Sequence, residues 1–412
     1  MKISISTAVM GVALTLLLPT DSVASAVDRE SATRVAVATI AERGGGGQQL
    51  ADVRSIRIEG RPLLFIFELD PIGFMVVSGD TDLPPVVAYS FLDDLPSRQP
   101  EVGILVDLLR ADLGRRLESV SRLPPSAVDE RHDEWRRLLT RRPYDHDEPD
   151  FEQWPASGTT ATGGWLETNW HQSSPYNDQC PLDPVAGGRS VAGCPAVAIA
   201  MVLNYHRTTN DTQFDDADDY YHSYAGRQYW IDDDWAVQGF PSFPTLSASL
   251  ADLQQRYRDG IPATPADAAA LVFASGVAAT QVYTSSISGT FGVGQAVDAY
   301  LKFGAGGLSL VPGTHPEIYL RLSANMKSGL PAHLAVVDPS GSSGHNLVVD
   351  GYNTDDYYHL NFGWGGSANG WYLLPDEIPY NLTVIDGVVV DITLPLFEDG
   401  FESGTTSMWS VP

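Results

Sequence analysis

The residues in this chain best suited to nucleophilic chemistry are its two cysteines, Cys180 and Cys194. Cys194 stands in the segment VAGCPAVAIAMVLNYH, residues 191–206. Gly193 leaves the backbone free to turn, and Pro195 suits the first position of a helix. Ala196 to Tyr205 is almost wholly apolar, as a buried helix would be. This reading puts Cys194 at the N-cap of a core helix, where unpaired N–H groups and the macrodipole favour thiolate over thiol. The segment alone fits a structural cysteine on a buried helix equally well.

A thiol nucleophile needs a base and an oxyanion site, and two further segments offer them. In GHNLVVDGYNTDDYYHLNFGWGG, residues 344–366, His345 begins a strand that ends at Gly351. A second strand, Tyr357 to Phe362, follows the turn residues Asn353 to Asp356. A hairpin turning about Asn353 sets His345 opposite Asn361, with Cβ atoms about 4.5–5.5 Å apart. The amide of Asn361 then accepts from the imidazole and fixes its tautomer. A slip of one residue would send Asn361 to the other face. Upstream, in WLETNWHQSSPYNDQCP (residues 165–181), Gln172 is a side-chain donor for the oxyanion, with the backbone N–H of Cys194 as the other.

The elements that must position these groups fall in the second part of a 412-residue chain, a length for two domains. Residues 27–150 read as a separate module. Ser31 to Arg43 has helical spacing and stops at the glycine run Gly44–Gly47. Three strand-like stretches follow, Val53–Ile58, Leu63–Leu69 and Gly73–Ser78, then two helices, Gly103–Leu117 and Asp129–Arg142. Nine arginines lie between residues 101 and 150, on what reads as a solvated helix face rather than a docking stripe. Residues 151–164, with Arg142 to Asp150 before them, have the Pro, Gly and acidic content of an exposed linker where proteolysis concentrates. Residues 165–395 are aromatic and glycine-rich, and residues 396–412 form a tail unable to build a core.

Charge and termini narrow the partners. The chain carries 25 basic and 52 acidic residues, a net of −27. A surface this acidic repels phosphate backbones, so nucleic acid is not the expected partner. Residues 1–26 read as an export signal: Lys2, the apolar run Ala8 to Leu18, and small residues at Ala24-Ser25-Ala26. The run is shorter than the about 20 apolar residues of a membrane span. The expected location is therefore secreted, extracellular or periplasmic, with no membrane span. In such an oxidising compartment Cys180 and Cys194 are either a disulfide or free thiols with a task.

Together these three blocks resemble the streptopain family of papain-fold cysteine peptidases. The likeness rests on Trp165-Leu166, Trp170, Gln172, Pro175-Tyr176-Asn177 and Cys180-Pro181. It continues through Gly193-Cys194 with Tyr205-His206, and through Gly344-His345, Asp350-Gly351, Asn361 and Gly363-Trp364-Gly365-Gly366. GFMVVSGD, residues 73–80, is similar to that family's propeptide. The resemblance spans roughly residues 50–395. It implies an α+β fold: a papain-like two-lobed peptidase, a helical lobe plus an antiparallel β lobe, preceded by an α/β propeptide module. It also implies an exported zymogen whose own propeptide is an intramolecular inhibitor and whose substrates are proteins or peptides. The implied catalytic set is Cys194, His345, Asn361, Gln172 and Trp364. The Cys194 thiolate faces the His345 imidazolium, and Trp364 shields the His345–Asn361 hydrogen bond from solvent. Pro195, Met201 and Phe362 depart from the family pattern without removing a catalytic group.

No cofactor is called for, since no cluster has zinc-ligand spacing and there is no phosphate loop. Asp215, Asp216, Asp218, Asp219 and Asp232 to Asp234 read as a solvated acidic loop rather than a calcium site. His206 lies about 18 Å along its helix from Cys194 at 1.5 Å per residue, and His333 and His359 lack a comparable asparagine. Two rival readings stay open. One is an inactive secreted binding protein with a Cys180–Cys194 disulfide. The other is a transglutaminase-like acyl transferase using the same triad.

Overall fold

The structure is a computed structural model, and it describes residues 26–43, 47–95, 100–140, 151–337, 344–374 and 385–394. The export segment 1–25, the run 142–150 and the tail 396–412 lie outside the described residues. The first part folds as α1 (Arg29–Arg43), strands β1 (Gln49–Ile58), β2 (Arg61–Asp70), β3 (Phe74–Ser78) and β4 (Val86–Ser90), then α2 (Pro100–Ser119) and α3 (Pro125–Thr140). β1–β3 and the helices fall where periodicity puts them. β4 is an addition, a five-residue run just after Pro84-Pro85.

The second part opens with the short β5 (Gln153–Trp154) and the apolar α4 (Cys194–Tyr205). Next come the hairpin β6 (Tyr220–Tyr224) and β7 (Arg227–Ile231), then α5 (Trp235–Gln238), α6 (Phe243–Arg258), α7 (Pro265–Ala278) and α8 (Gly294–Lys302). The β lobe follows as β8 (Ser309–Pro312), α9 (Ile318–Lys327), β9 (Ala332–Val337), β10 (Gly344–Asn353), β11 (Tyr357–Asn361), β12 (Gly370–Leu373) and β13 (Ile385–Val390). This is a mixed architecture of helices on an antiparallel sheet, as the sequence resemblance implies.

The two parts share one sheet. Among the described residues its order is β1-β2-β3-β4-β12-β11-β10-β9-β13-β8, with β5 added beside β10. The junction is antiparallel, with Trp371 opposite Tyr89 and Tyr372 opposite Ala88. The core is shared as well. Leu64, Ile66, Phe74 and Val76 belong to one buried cluster with Leu334, Leu347, Val349, Phe362 and Trp364. The expected separate module is therefore fused to the rest by strand pairing and apolar burial. The other face of the β lobe packs on α4 and α8, and Val348, Ala335 and Val389 join the helical core that α6 and α7 complete.

Residues 151–164 are exposed at 151–152, 156–159 and 161, as their composition predicts, but other positions in the segment are held to the sheet. Trp154 pairs with Tyr352 in the sheet and its indole stacks on that ring at 6.1 Å. Gly164 lies flat on Asp350, where a Cβ would run into the carboxylate, and Leu166 N–H donates to that carboxylate at 3.0 Å. Glycine and threonine here meet a close approach to the sheet, a use that composition does not separate from flexibility.

The basic residues of the first part divide. Arg110 and Arg136 are exposed beside aspartates of their own helices, Asp107 and Asp133. Arg116 is buried, paired with Asp112 at 2.9 Å, and it donates to the Leu373 carbonyl at 2.9 Å. Arg43 reaches Asp355 at 2.5 Å and lies over the rings of Tyr89 and Tyr357. Removing one partner of a buried pair leaves the other uncompensated. Arg116→Ala should therefore lower stability by about 3 kcal/mol in urea unfolding at pH 7. A loss below about 0.5 kcal/mol would return Arg116 to the solvated face.

Candidate active site

The Cys194 turn is built by a glycine with no alternative. Gly193 has φ +84° and is the N-cap of α4, so Cys194 is the first helical residue rather than the cap, one place later than expected. Any side chain at Gly193 would strike Gln281, whose amide Nε2 donates to the Ala192 carbonyl at 2.8 Å. Gln281 is a supporting residue that sequence reasoning missed, 87 positions away and with no motif around it. From Pro195 to Leu203 every residue of α4 is buried, which anchors the sulfur end of the helix.

A groove of about 1110 Å³ runs between the helical lobe and the β lobe. Cys194, Gln172, His345 and Trp364 all line it, with His171, Asn346, Val282, Phe291 and Asp386 among their neighbours. Four of the five expected residues are thus brought together. Gln172 is held by its own backbone, whose carbonyl accepts from Ala192 N–H at 2.9 Å.

Asn361 is the exception. It is fully buried, its amide donates to the Thr168 carbonyl at 3.0 Å, and its Oδ1 accepts from Gly363 N–H at 3.1 Å. The register explains the correction: Asn361 lies opposite Val348, not His345. The expected pairing put the turn about Asn353. Instead Asn353 ends the strand and its Oδ1 accepts from both Asp355 N–H and Tyr357 N–H, moving the turn two residues along. An irregularity between Val349 and Gly351 sets the final register.

The imidazole is oriented by main chain. His345 Nε2 lies 2.7 Å from the Phe362 carbonyl oxygen. A carbonyl only accepts, so Nε2 carries the hydrogen and Nδ1 keeps a lone pair. Trp364 covers the ring at 4.5 Å between centroids and also stacks on Phe362. The indole thus shields a hydrogen bond to Phe362, where the sequence reading had one to Asn361.

Burial disfavours the charged form of both reacting groups. Burial pushes the Cys194 thiol up from its ordinary value, partly offset by hydrogen bonds from the backbone and side chain of Asn346. Burial holds His345 down at about 4, with the Phe362 hydrogen bond opposing. Cys180 is fully buried and pushed up to about 12, and both cysteines are free, which removes the Cys180–Cys194 disulfide.

Four of the seven aspartates read as an acidic loop have local partners. Asp215 and Asp218 cap a short turn, and Asp218 pairs with Lys302 at 2.7 Å. Asp232 accepts from Phe243 N–H, and Asp234 from Trp230 N–H. His206 is the C-cap of α4, at the far end from Cys194. His359 is paired with Asp350 at 2.7 Å inside the sheet. Among the described residues no helix is long and apolar enough to cross a membrane.

With this geometry in place, comparison with known proteins is direct. Residues 170–372 match the model of the peptidase C10 family. That segment belongs to the peptidase C10 family. It contains all five expected site residues, and the resemblance carried by the motif blocks is borne out. Thiol protease/hemagglutinin PrtT of Porphyromonas gingivalis is 24% identical over 326 residues, covering 76% of this chain and 34% of that protein. Streptopain of Streptococcus pyogenes serotype M1 is 24% identical over 229 residues, 50% of this chain and 53% of that protein. The chain thus spans about a third of one curated relative and about half of the other. A solved fragment of prointerpain A from Prevotella intermedia superposes with a TM-score of 0.54 at 20% identity. It covers 84% of this chain and 99% of the fragment, so the fold is shared across both parts.

The buried neutral histidine makes the C10 domain sensitive to acid. With its folded pKa near 4, below the unfolded value, the unfolded chain takes up the proton first. The stabilisation is complete above about pH 6.5 and lost as pH falls toward 4, worth roughly 3 kcal/mol. Urea unfolding between pH 7 and 4.5 should show this loss, and His345→Gln should make it shallower without removing it, since burial also holds His206 and His333 at about 4. Equal slopes for both proteins would contradict the assignment.

Proposed function

We propose that this chain is the precursor of a secreted cysteine endopeptidase, with Cys194 as nucleophile and His345 as base. The observation that carries the reading is the groove shared by Cys194, His345, Gln172 and Trp364, with His345 Nδ1 left as acceptor. Membership of the C10 family supports it. In the proposed cycle Nδ1 takes the thiol proton and the thiolate attacks the scissile carbonyl. The Cys194 N–H and the Gln172 amide receive the oxyanion. The imidazolium protonates the leaving amine, and water hydrolyses the thioester. Phe362 O, rather than Asn361, holds the imidazole in the tautomer that this needs.

The first part, residues 27–150, is proposed as the inhibitory propeptide, held by the β4–β12 junction and by Arg43 and Arg116. The Asp93-Asp94 loop supports this role. Ala368 N–H donates to the Asp94 carbonyl at 2.8 Å, four residues past Trp364. Burial that disfavours charge on Cys194 and His345 fits a resting precursor. The Lys2 to Ala26 pattern supports export, to the periplasm or beyond.

Wild type should shorten itself under reducing, mildly acidic conditions, with the cut within residues 142–164. Cys194→Ala should stay full length and inert toward casein. Cleavage by Cys194→Ala would remove the nucleophile assignment, and cross-linking of an added amine would replace hydrolysis with acyl transfer. Gln172→Ala should lower casein turnover by ~10²–10³-fold with little change in melting temperature. An unchanged rate would take Gln172 out of the site.

A further inference from the structure

β9 and β10 pair without irregularity from Gly344–Val337 to Val349–Ala332. Alternation along β10 therefore separates His345 and Leu347 from Asn346 and Val348. Val348 packs with α4 in the helical core, whereas Leu347 packs with Phe362 and Trp364. Asn346 is thus on the sheet face that meets the Cys194 helix. His333 sits opposite Val348, which makes it the diagonal neighbour of Asn346 on that face.

A buried polar chain runs through these residues. His333 Nε2 lies 2.7 Å from Asn346 Oδ1, and Tyr300 OH lies 3.3 Å from His333 Nδ1. Tyr300 and His333 are both fully buried. An amide oxygen only accepts, so His333 donates through Nε2, and its Nδ1 accepts from the phenol. The neutral ring that this requires agrees with burial holding His333 near 4. With Oδ1 so occupied, the NH₂ group of Asn346 is left to donate. Cys194 and Asn346 line the same groove, and hydrogen bonding from the backbone and the side chain of Asn346 opposes the upward push of burial on the thiol.

We propose that Asn346 is a further residue of the catalytic site, donating hydrogen bonds to the reacting Cys194 sulfur, and that His333 and Tyr300 position its amide. This rests on Cys194 being the nucleophile. All donors in the chain point one way, from Tyr300 through His333 and Asn346 to sulfur, so each bond polarises the next. The arrangement lowers the cost of the thiolate in a site where burial raises it, and it does so independently of where His345 stands.

The test is the pH dependence of iodoacetamide alkylation at Cys194 in the full-length precursor, followed on its peptide by mass spectrometry. Asn346→Ala should move the inflection upward and slow alkylation at neutral pH by about tenfold, the scale of one hydrogen bond to a charged group. His333→Leu should shift it in the same direction. His333→Gln, which can still donate to Oδ1, should restore most of the wild-type profile. Circular dichroism melting confirms that each variant is folded, and the His333 pair decides the matter if Asn346→Ala is not. Superimposable wild-type and His333→Leu profiles, or His333→Gln matching His333→Leu, overturn the proposal. Casein hydrolysis by the processed wild type is measured alongside. Its absence counts against the peptidase reading without altering what the alkylation profiles say of Asn346.

Discussion

The site depends first on the burial of α4 against β10. Nine consecutive residues, Pro195 to Leu203, are inside the helical core, and the helix meets the sheet at Val348 and Ala335. Burying such a run is worth on the order of 1.5–3 kcal/mol for each large apolar side chain, so the helix cannot slide or rotate cheaply. Its first turn is consequently fixed opposite the first residues of β10. Cys194 and His345 both line the groove, one from the first turn of α4 and the other from the start of β10. Gly193 and Gln281 refine the turn, but they act on a position that packing has already set.

That same burial shapes the electrostatics. A thiol and an imidazole taken out of water each favour the uncharged form, and the directions found for Cys194 and His345 follow. The polar groups around them set orientation. The Phe362 carbonyl holds one ring nitrogen of His345, and Asn346 faces the sulfur. The continuous sheet adds the first part of the chain to this scaffold. Its strands extend the sheet from β12, and its Asp93-Asp94 loop lies against the turn that follows Trp364. Changes in the packing of residues 27–140 are thereby coupled to the rim of the groove through the β12 junction and that turn.

Much of this was legible in the sequence where one physical signal dominates. A glycine, a cysteine and a proline before eight apolar residues define a helix start, and α4 begins within one residue of its expected place. Strands β1 to β3 follow from apolar, β-favouring runs bounded by turn residues, and α1 to α3 from helical spacing and stop signals. What escaped depends on contacts distant in sequence. The hairpin register was set by the side chain of Asn353 bonding two backbone amides and by an irregularity near Gly351, neither visible in a hydrophobic pattern. Asn361 was consequently assigned a task that a main-chain carbonyl performs. Residues 151–164 have the composition of a linker because glycine serves close approach as well as freedom. Gln281 and Asn346 carried no motif, and His333 was set aside because its asparagine lies on the neighbouring strand.

The central claim is that one sulfur, Cys194, is reactive because His345 serves it across the groove, while Cys180 is an inert core residue. Labelling the processed protein with a peptidyl epoxide and mapping the adduct by mass spectrometry tests this most directly. The account predicts a single adduct on Cys194, formed stoichiometrically in wild type and lost in His345→Ala. An adduct on Cys180, or equal labelling of Cys194 with and without His345, would contradict it.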